Sequence, residues 1–202
     1  GAGVGSNAQV FLRNTDGSPP IHLGAGVARD LSPDGRWALT EVWGTIHLLP
    51  TGAGQPVELK TPGVTYGRIA AWFPDGKRII FQGSQPGRPG RLYVVPVSGG
   101  EPRPVTPEGV GFPVGPVVKP VSPDGRRVLA LAGPGDLRTF DVESGEQTGA
   151  CRIEPGEEPI RWHADGRSIF LWTPGEFPVA IRRIDVESGE KTHWRDLVPA
   201  DP

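Results

Sequence analysis

Short apolar runs alternate along the chain with polar stretches punctuated by glycine and proline. The clearest runs are Trp37-Ala38-Leu39-Thr40, Ile79-Ile80-Phe81, Val128-Leu129-Ala130-Leu131 and Ile169-Phe170-Leu171-Trp172. They are apolar nearly throughout rather than alternating, which predicts β-strands covered on both faces. The longest stretch free of glycine and proline, eleven residues from Ser6 to Asp16, carries Val10-Phe11-Leu12 with strand character. No helix of average length fits anywhere.

Each of the four runs follows one turn sequence: Ser32-Pro33-Asp34-Gly35-Arg36, Phe73-Pro74-Asp75-Gly76-Lys77, Ser122-Pro123-Asp124-Gly125-Arg126 and, degraded, His163-Ala164-Asp165-Gly166-Arg167. The residue types suit a tight hairpin. Proline presets the first corner, aspartate hydrogen-bonds its own backbone, and glycine accepts the positive φ that closes the turn. The aspartates lie 41, 49 and 41 residues apart, near the period of four-stranded propeller blades. A second punctuation mark recurs in each repeat: a Gly-rich turn at Thr51 to Gln55, Ser98-Gly99-Gly100-Glu101-Pro102, Glu143-Ser144-Gly145-Glu146, and Glu187-Ser188-Gly189-Glu190.

The expectation is an all-β chain: one β-propeller domain over 1–202, built of four-stranded antiparallel blades at 25–61, 66–107, 114–154 and 158–198 after a half blade at 8–24. The strands expected in the second blade end at Gln82 and resume at Leu92, with a loop from Gly83 to Gly90 and a last strand over Arg103 to Thr106. The third is expected to open at Val117-Val118. Eighteen strands fall short of the roughly 24 of a six-bladed ring, so an incomplete array with exposed blade edges is expected, and with it self-association as a homo-oligomer.

Composition narrows the function classes. The net charge is -2 and nothing basic clusters, so neither nucleic acid nor direct membrane contact is expected. The 30 glycines and 24 prolines would suggest disorder in a chain without periodicity, but here they mark turns. The lack of methionine and the start Gly1-Ala2-Gly3 point to a piece of a longer protein. Cys151 stands alone and leaves the redox compartment open.

The consensus Ser-Pro-Asp-Gly-Lys/Arg, an apolar strand, a Gly-Gly-Glu-Pro turn and then Val-Thr, best seen over Trp72 to Thr106, resembles the TolB-like, WD40-like (PD40) repeat of bacterial propellers. That resemblance implies the fold. The repeat also occurs in the propeller lid of prolyl-oligopeptidase-type serine peptidases and in regulatory tails of membrane-linked serine/threonine kinases. The closing segment Trp194 to Pro202 is similar to a link between repeats in those tails. Three readings follow from the resemblance: a protein-interaction or sensing module within a larger bacterial chain such as a kinase, a substrate-gating propeller whose hydrolase domain lies elsewhere, or a TolB-like periplasmic partner protein. It also implies the extracytoplasmic side.

Catalytic, metal and cofactor sites are not expected. No Gly-x-Ser-x-Gly elbow occurs, and Ser98 occupies the inter-strand turn that Ser144 and Ser188 fill. His22, His47, His163 and His193 lack metal-ligand spacing. The turn residues Pro33, Asp34, Gly35, Pro74, Asp75, Gly76, Pro123, Asp124, Gly125, Asp165 and Gly166 read as scaffold, because each carboxylate arrives with its own turn. Glu157-Glu158 and the Asp141, Glu143 pair show no partner in the sequence, and Cys151 reads as a buried thiol. Trp37, Trp72, Trp162 and Trp172 sit at strand positions suited to packing between blades. Trp43 and Trp194, less constrained by phase, are the candidates for a surface that binds a protein partner.

Overall fold

The computed structural model describes residues 8–113 and 119–198, the side chain of Arg68 excepted. The fold is all-β, of the β-propeller class, and no helix occurs among the described residues. Strands β1 (Gln9–Leu12) and β2 (Ile21–Ala25) pair alone. The first blade holds β3 (Val27–Leu31), β4 (Trp37–Val42), β5 (Thr45–Pro50) and β6 (Val57–Leu59), and the second β7 (Thr65–Trp72), β8 (Arg78–Ser84), β9 (Arg91–Pro96) and β10 (Arg103–Pro104). The third sheet has β11 (Arg127–Gly133), β12 (Asp136–Asp141) and β13 (Gln147–Arg152). The fourth has β14 (Glu158–Trp162), β15 (Ser168–Trp172), β16 (Val179–Asp185) and β17 (Lys191–Leu197).

Two compact units divide the chain, 1–103 and 104–202. In the first, β4 and β8 each carry consecutive buried residues, as strands covered on both faces must. Neighbouring side chains of β4 enter different cores. Leu39 joins Ile46, Tyr66, Trp72, Ile79 and Phe81 between the first and second blades. Ala38, pointing the other way, packs with Leu49 and Val10 beneath the β1–β2 pair. A fully buried side chain of this kind is worth about 1.5–3 kcal/mol, so these two cores account for why both faces of the strand are apolar. The blades are also joined by polarity: Asp30 Oδ2 accepts the backbone N–H of Trp72 at 2.9 Å.

The second unit repeats the arrangement. Leu129, Leu137 and Cys151 of the third sheet meet Trp162, Ile169, Leu171 and Ile184 of the fourth. Between the two sheets, Lys119 and Arg161 form a parallel bridge, and Trp162 Nε1 donates to the Pro120 carbonyl at 2.8 Å. Arg127 lies over the Trp162 ring and donates to the Gly166 carbonyl, a second tie from the third sheet to the fourth. The sequences Asp-Val-Glu-Ser-Gly-Glu at 141–146 and 185–190 fold identically: the first aspartate accepts two backbone N–H groups of the turn, and the glycine N–H returns to its carbonyl at 2.9 Å.

Several expected boundaries need correction. Gly83 and Ser84 belong to β8 rather than to a loop, because Gly83 and Ser84 pair with Tyr66 and Thr65. Only glycine fits at that approach, since a Cβ at Gly83 would lie 2.6 Å from Val64 and 2.9 Å from the Thr65 carbonyl oxygen. The last strand of the second blade stops at Pro104, short of Thr106: proline gives the ladder no N–H, and Thr106 instead donates to the Val110 carbonyl in a turn. Seventeen strands are found among the described residues. The opening of the third blade at Val117-Val118 and the closing Pro199 to Pro202 lie outside them, and Val121 bridges Val128 where that blade's first strand is expected.

Replacing Trp162 with phenylalanine removes the Nε1 bond and shrinks a buried ring. It is expected to destabilise the protein by about 1–3 kcal/mol, read as a lower denaturant midpoint at unchanged slope; an unaltered midpoint would contradict the role given to this tie.

Candidate functional site

The hairpin aspartates are committed to their own turns. In the first repeat Gly35 N–H donates to the Ser32 carbonyl at 2.8 Å with Gly35 at φ +71°, Asp34 Oδ1 accepts the Arg36 N–H at 3.0 Å, and the Ser32 hydroxyl donates to the same oxygen at 2.6 Å. Asp124 repeats this with Ser122 and Arg126. Asp75, which follows Phe73 instead of serine, accepts from the backbone of Lys77 and Arg78 and pairs with the Arg78 guanidinium at 2.8 Å. The degraded copy substitutes His163: Asp165 accepts the N–H groups of Arg167 and Ser168, and its second oxygen lies 2.9 Å from His163 Nδ1. Pro33, Pro74 and Pro123 with Gly76, Gly125 and Gly166 complete these turns, each glycine at positive φ.

Electrostatics agree with that geometry. The Ser32 hydroxyl and Arg36 N–H hold the Asp34 carboxyl below its ordinary value. For Asp165, burial pushes the pKa up, but the two backbone N–H groups and His163 outweigh it and bring the group to about 2. A catalytic acid needs the opposite, a proton held near the working pH. Burial pushes the Cys151 thiol up to about 11, away from thiolate chemistry.

Glu157, for which the sequence shows no partner, has several. Its side chain is buried and accepts from Lys191 Nζ at 2.7 Å and the Glu154 N–H at 2.8 Å, with Arg182 at 3.5 Å. These come from β16, β17 and the turn before β14, a pairing only the blade's closure could reveal. Arg29 and Glu41 form a second part-buried ion pair, next to Tyr66, whose hydroxyl pKa burial raises. The histidines are scattered: His22 contacts Gln9, His47 contacts Thr45, and His193 contacts Asp196. Among the described residues no three His, Cys, Asp or Glu side chains converge to hold a metal ion. Two open clefts of about 360 and 650 Å³ flank the Pro50 to Gly52 turn, but the Thr51 hydroxyl there is spent on the Gly35 carbonyl and no titratable groups converge in either.

The aromatic residues divide as follows. Trp72 and Trp162 are buried and Trp37 packs against the first unit's core. Trp43 is 76% exposed and, unlike every other described non-glycine residue, has positive φ, at 53°. It forms with Gly44 a two-residue turn between β4 and β5 in which both central residues are left-handed. Asparagine suits that position and a bulky aromatic does not. Trp194 is 48% exposed on β17, its ring 4.9 Å from the Phe170 ring. Phe177, absent from the sequence-level candidates, is 70% exposed on the turn between β15 and β16, a position its place in a Gly/Pro loop gave no reason to single out.

No family model matches the chain. It is 30% identical over 154 residues, 75% of its length, to the uncharacterized peptidase YuxL of Bacillus subtilis (strain 168), but spans only 21% of that protein. A protein assigned as TolB in Agrobacterium tumefaciens superposes with a TM-score of 0.67 at 22% identity, over 89% of this chain and 66% of that one. TolB from Acinetobacter baumannii gives 0.62 at 17%, over 93% and 49%. An oligogalacturonate lyase from Vibrio parahaemolyticus gives 0.61 at 14%, over 95% and 60%. The propeller fold is therefore shared with TolB proteins and with enzymes alike.

Because Asp165 is held low in the folded protein, its charge contributes stability that is present above the unfolded value of 3.8 and is lost as pH falls through about 2. Asp165→Asn keeps an acceptor oxygen for the turn and removes the charge. The stability gap between the two proteins should stay level above about pH 4 and narrow toward pH 2; a gap constant down to pH 2 would mean the charge is not what stabilises the turn.

Proposed function

We propose that the chain is a non-catalytic propeller module that binds a protein partner as part of a longer bacterial protein, a membrane-linked kinase being the parent the repeat resemblance favours. The observation that carries this reading is Trp43. A large apolar side chain held in solvent is unfavourable, and a non-glycine residue held left-handed costs on the order of 1–3 kcal/mol. The turn needs neither. Rigid exposed aromatics are the residues that anchor protein interfaces, and a two-residue turn presents one with little freedom left to lose. The four hairpin aspartates are spent on their turns, and Glu41 and Glu157 on ion pairs that tie strands. An extracytoplasmic location belongs to the same proposal and rests on the family resemblance.

A second reading has one observation in its favour, the match to a peptidase-named relative. Under it, the propeller gates access to a hydrolase domain elsewhere in the parent protein. Peptide hydrolysis by the parent that falls away with substrate length would favour gating.

Trp43→Asn separates structure from binding. Asparagine prefers the left-handed turn, so the variant should be more stable than the parent by about 0.5–1 kcal/mol. A photoreactive phenylalanine analogue at position 43, in the parent protein within its host cell, should crosslink to one discrete protein. Destabilisation by Trp43→Asn, or no protein crosslink from that position, would contradict the proposal.

A further inference from the structure

The face by which one blade receives the next is formed twice within the chain. In the first blade Leu39, five residues after the turn aspartate, is fully buried in one core with Trp72, Ile79 and Phe81 of the second. In the third sheet Leu129, five residues after Asp124, is fully buried in one core with Trp162, Ile169 and Leu171 of the fourth. The neighbouring residue supplies a polar tie in both. Asp30, paired with Leu39, accepts the Trp72 N–H, and the Pro120 carbonyl, which accepts the Leu129 N–H, also accepts from Trp162 Nε1. Both tryptophans stand 42 residues after their acceptors and immediately before a turn motif.

The fourth blade carries the same face, and among the described residues of the second unit no further blade covers it. Ile169 and Leu171 belong to the core shared with the third sheet, so Phe170 between them, five residues after Asp165, points the other way. It pairs with Arg161, which stands where Asp30 and Pro120 stand in the other two blades, and with Arg183. The rings over Phe170, Trp194 at 4.9 Å and His163 at 5.4 Å, belong to its own blade. Around that aromatic centre Arg161 and Trp194 are exposed. A repeat array buries such faces by stacking neighbours.

We infer that this face of the fourth blade receives a further blade of the same repeat, one that brings a tryptophan immediately before its turn motif and apolar residues from its second strand. The occupant follows from the two junctions already formed, which use the same position in each receiving blade and the same position in each incoming one. The Arg161 carbonyl stands in the place of the Pro120 carbonyl that takes an indole N–H. An arginine on the receiving side suits an incoming indole: Arg127 of the third sheet lies 5.4 Å from the Trp162 centroid, and Arg161 offers the same contact. The TolB chains that superpose on this one are longer than it is. The inference goes beyond the interaction reading and does not depend on Trp43.

The test extends the whole 202-residue chain after Pro202 by a second copy of residues 158–198 and, in a separate protein, by a copy of residues 66–107; each brings a tryptophan before its turn. The added amides should be protected from hydrogen exchange. Unfolding should remain a single transition, with a steeper denaturant dependence than that of the unextended chain. Arg161 should lose its reactivity toward phenylglyoxal, while Arg167, exposed on the turn, keeps its own. Ile169→Asp within the added copy of 158–198 should abolish all of these changes. Added amides that exchange as in free peptide in both extended proteins, an added transition separate from that of the unextended chain, or an Arg161 as reactive as before would overturn the inference. Those results would leave the interaction reading standing, since that reading is tested by the crosslink from position 43.

Discussion

The structure depends on one small interaction repeated four times: an aspartate carboxylate accepting the backbone N–H two residues further on, inside a turn closed by glycine. That bond fixes where the first strand of a blade ends and the second begins. Because the second strand is buried on both faces, its register decides which side chains enter which core, and a slip of one residue would send Leu39 to the face that Ala38 now occupies. Locking the hairpin therefore locks the stacking of blades within each unit. The ties that follow, Asp30 to the Trp72 backbone and Trp162 to the Pro120 carbonyl, require that register to be set already.

The same interaction explains why the most conspicuous acidic residues of the chain are poor candidates for chemistry. A carboxylate that accepts backbone N–H groups is stabilised as the anion, and all four hairpin aspartates have pKa values held below the ordinary range. The neighbours vary while the function of the carboxylate does not: a serine two residues earlier supports it in two copies, an arginine three residues later in another, and in the last a histidine two residues earlier together with Ser168. The large aromatic side chains left in solvent lie at the margins, Trp43 and Phe177 on turns and Trp194 on the outer strand of the fourth blade.

Much of this is legible in the sequence because the signals are local. A Pro-Asp-Gly turn followed by an unbroken apolar run states both the hairpin and its burial, and four phased copies state the propeller. Nonlocal features are not stated. Gly83 looks like the start of a loop because its glycine neighbours do, whereas its close approach to Val64 depends on a strand seventeen or more residues earlier. Glu157 appears partnerless because Lys191 and Arg182 reach it only after the blade has closed. Trp43 reads as a surface tryptophan of no fixed phase, and its left-handed backbone becomes visible only once β4 and β5 are seen to be joined by two residues.

The most direct measurement of the central claim, a clamped scaffold that leaves the edge of its fourth blade open, is native-state hydrogen exchange of the whole chain resolved by strand. The account predicts that β4, β8, β11 and β15 exchange slowest, near the limit set by global unfolding, while the β17 amides that point away from β16 exchange almost as fast as those of free peptide. Protection of those β17 amides to the level of β15 would contradict it, since the edge would then be covered in the protein as it stands.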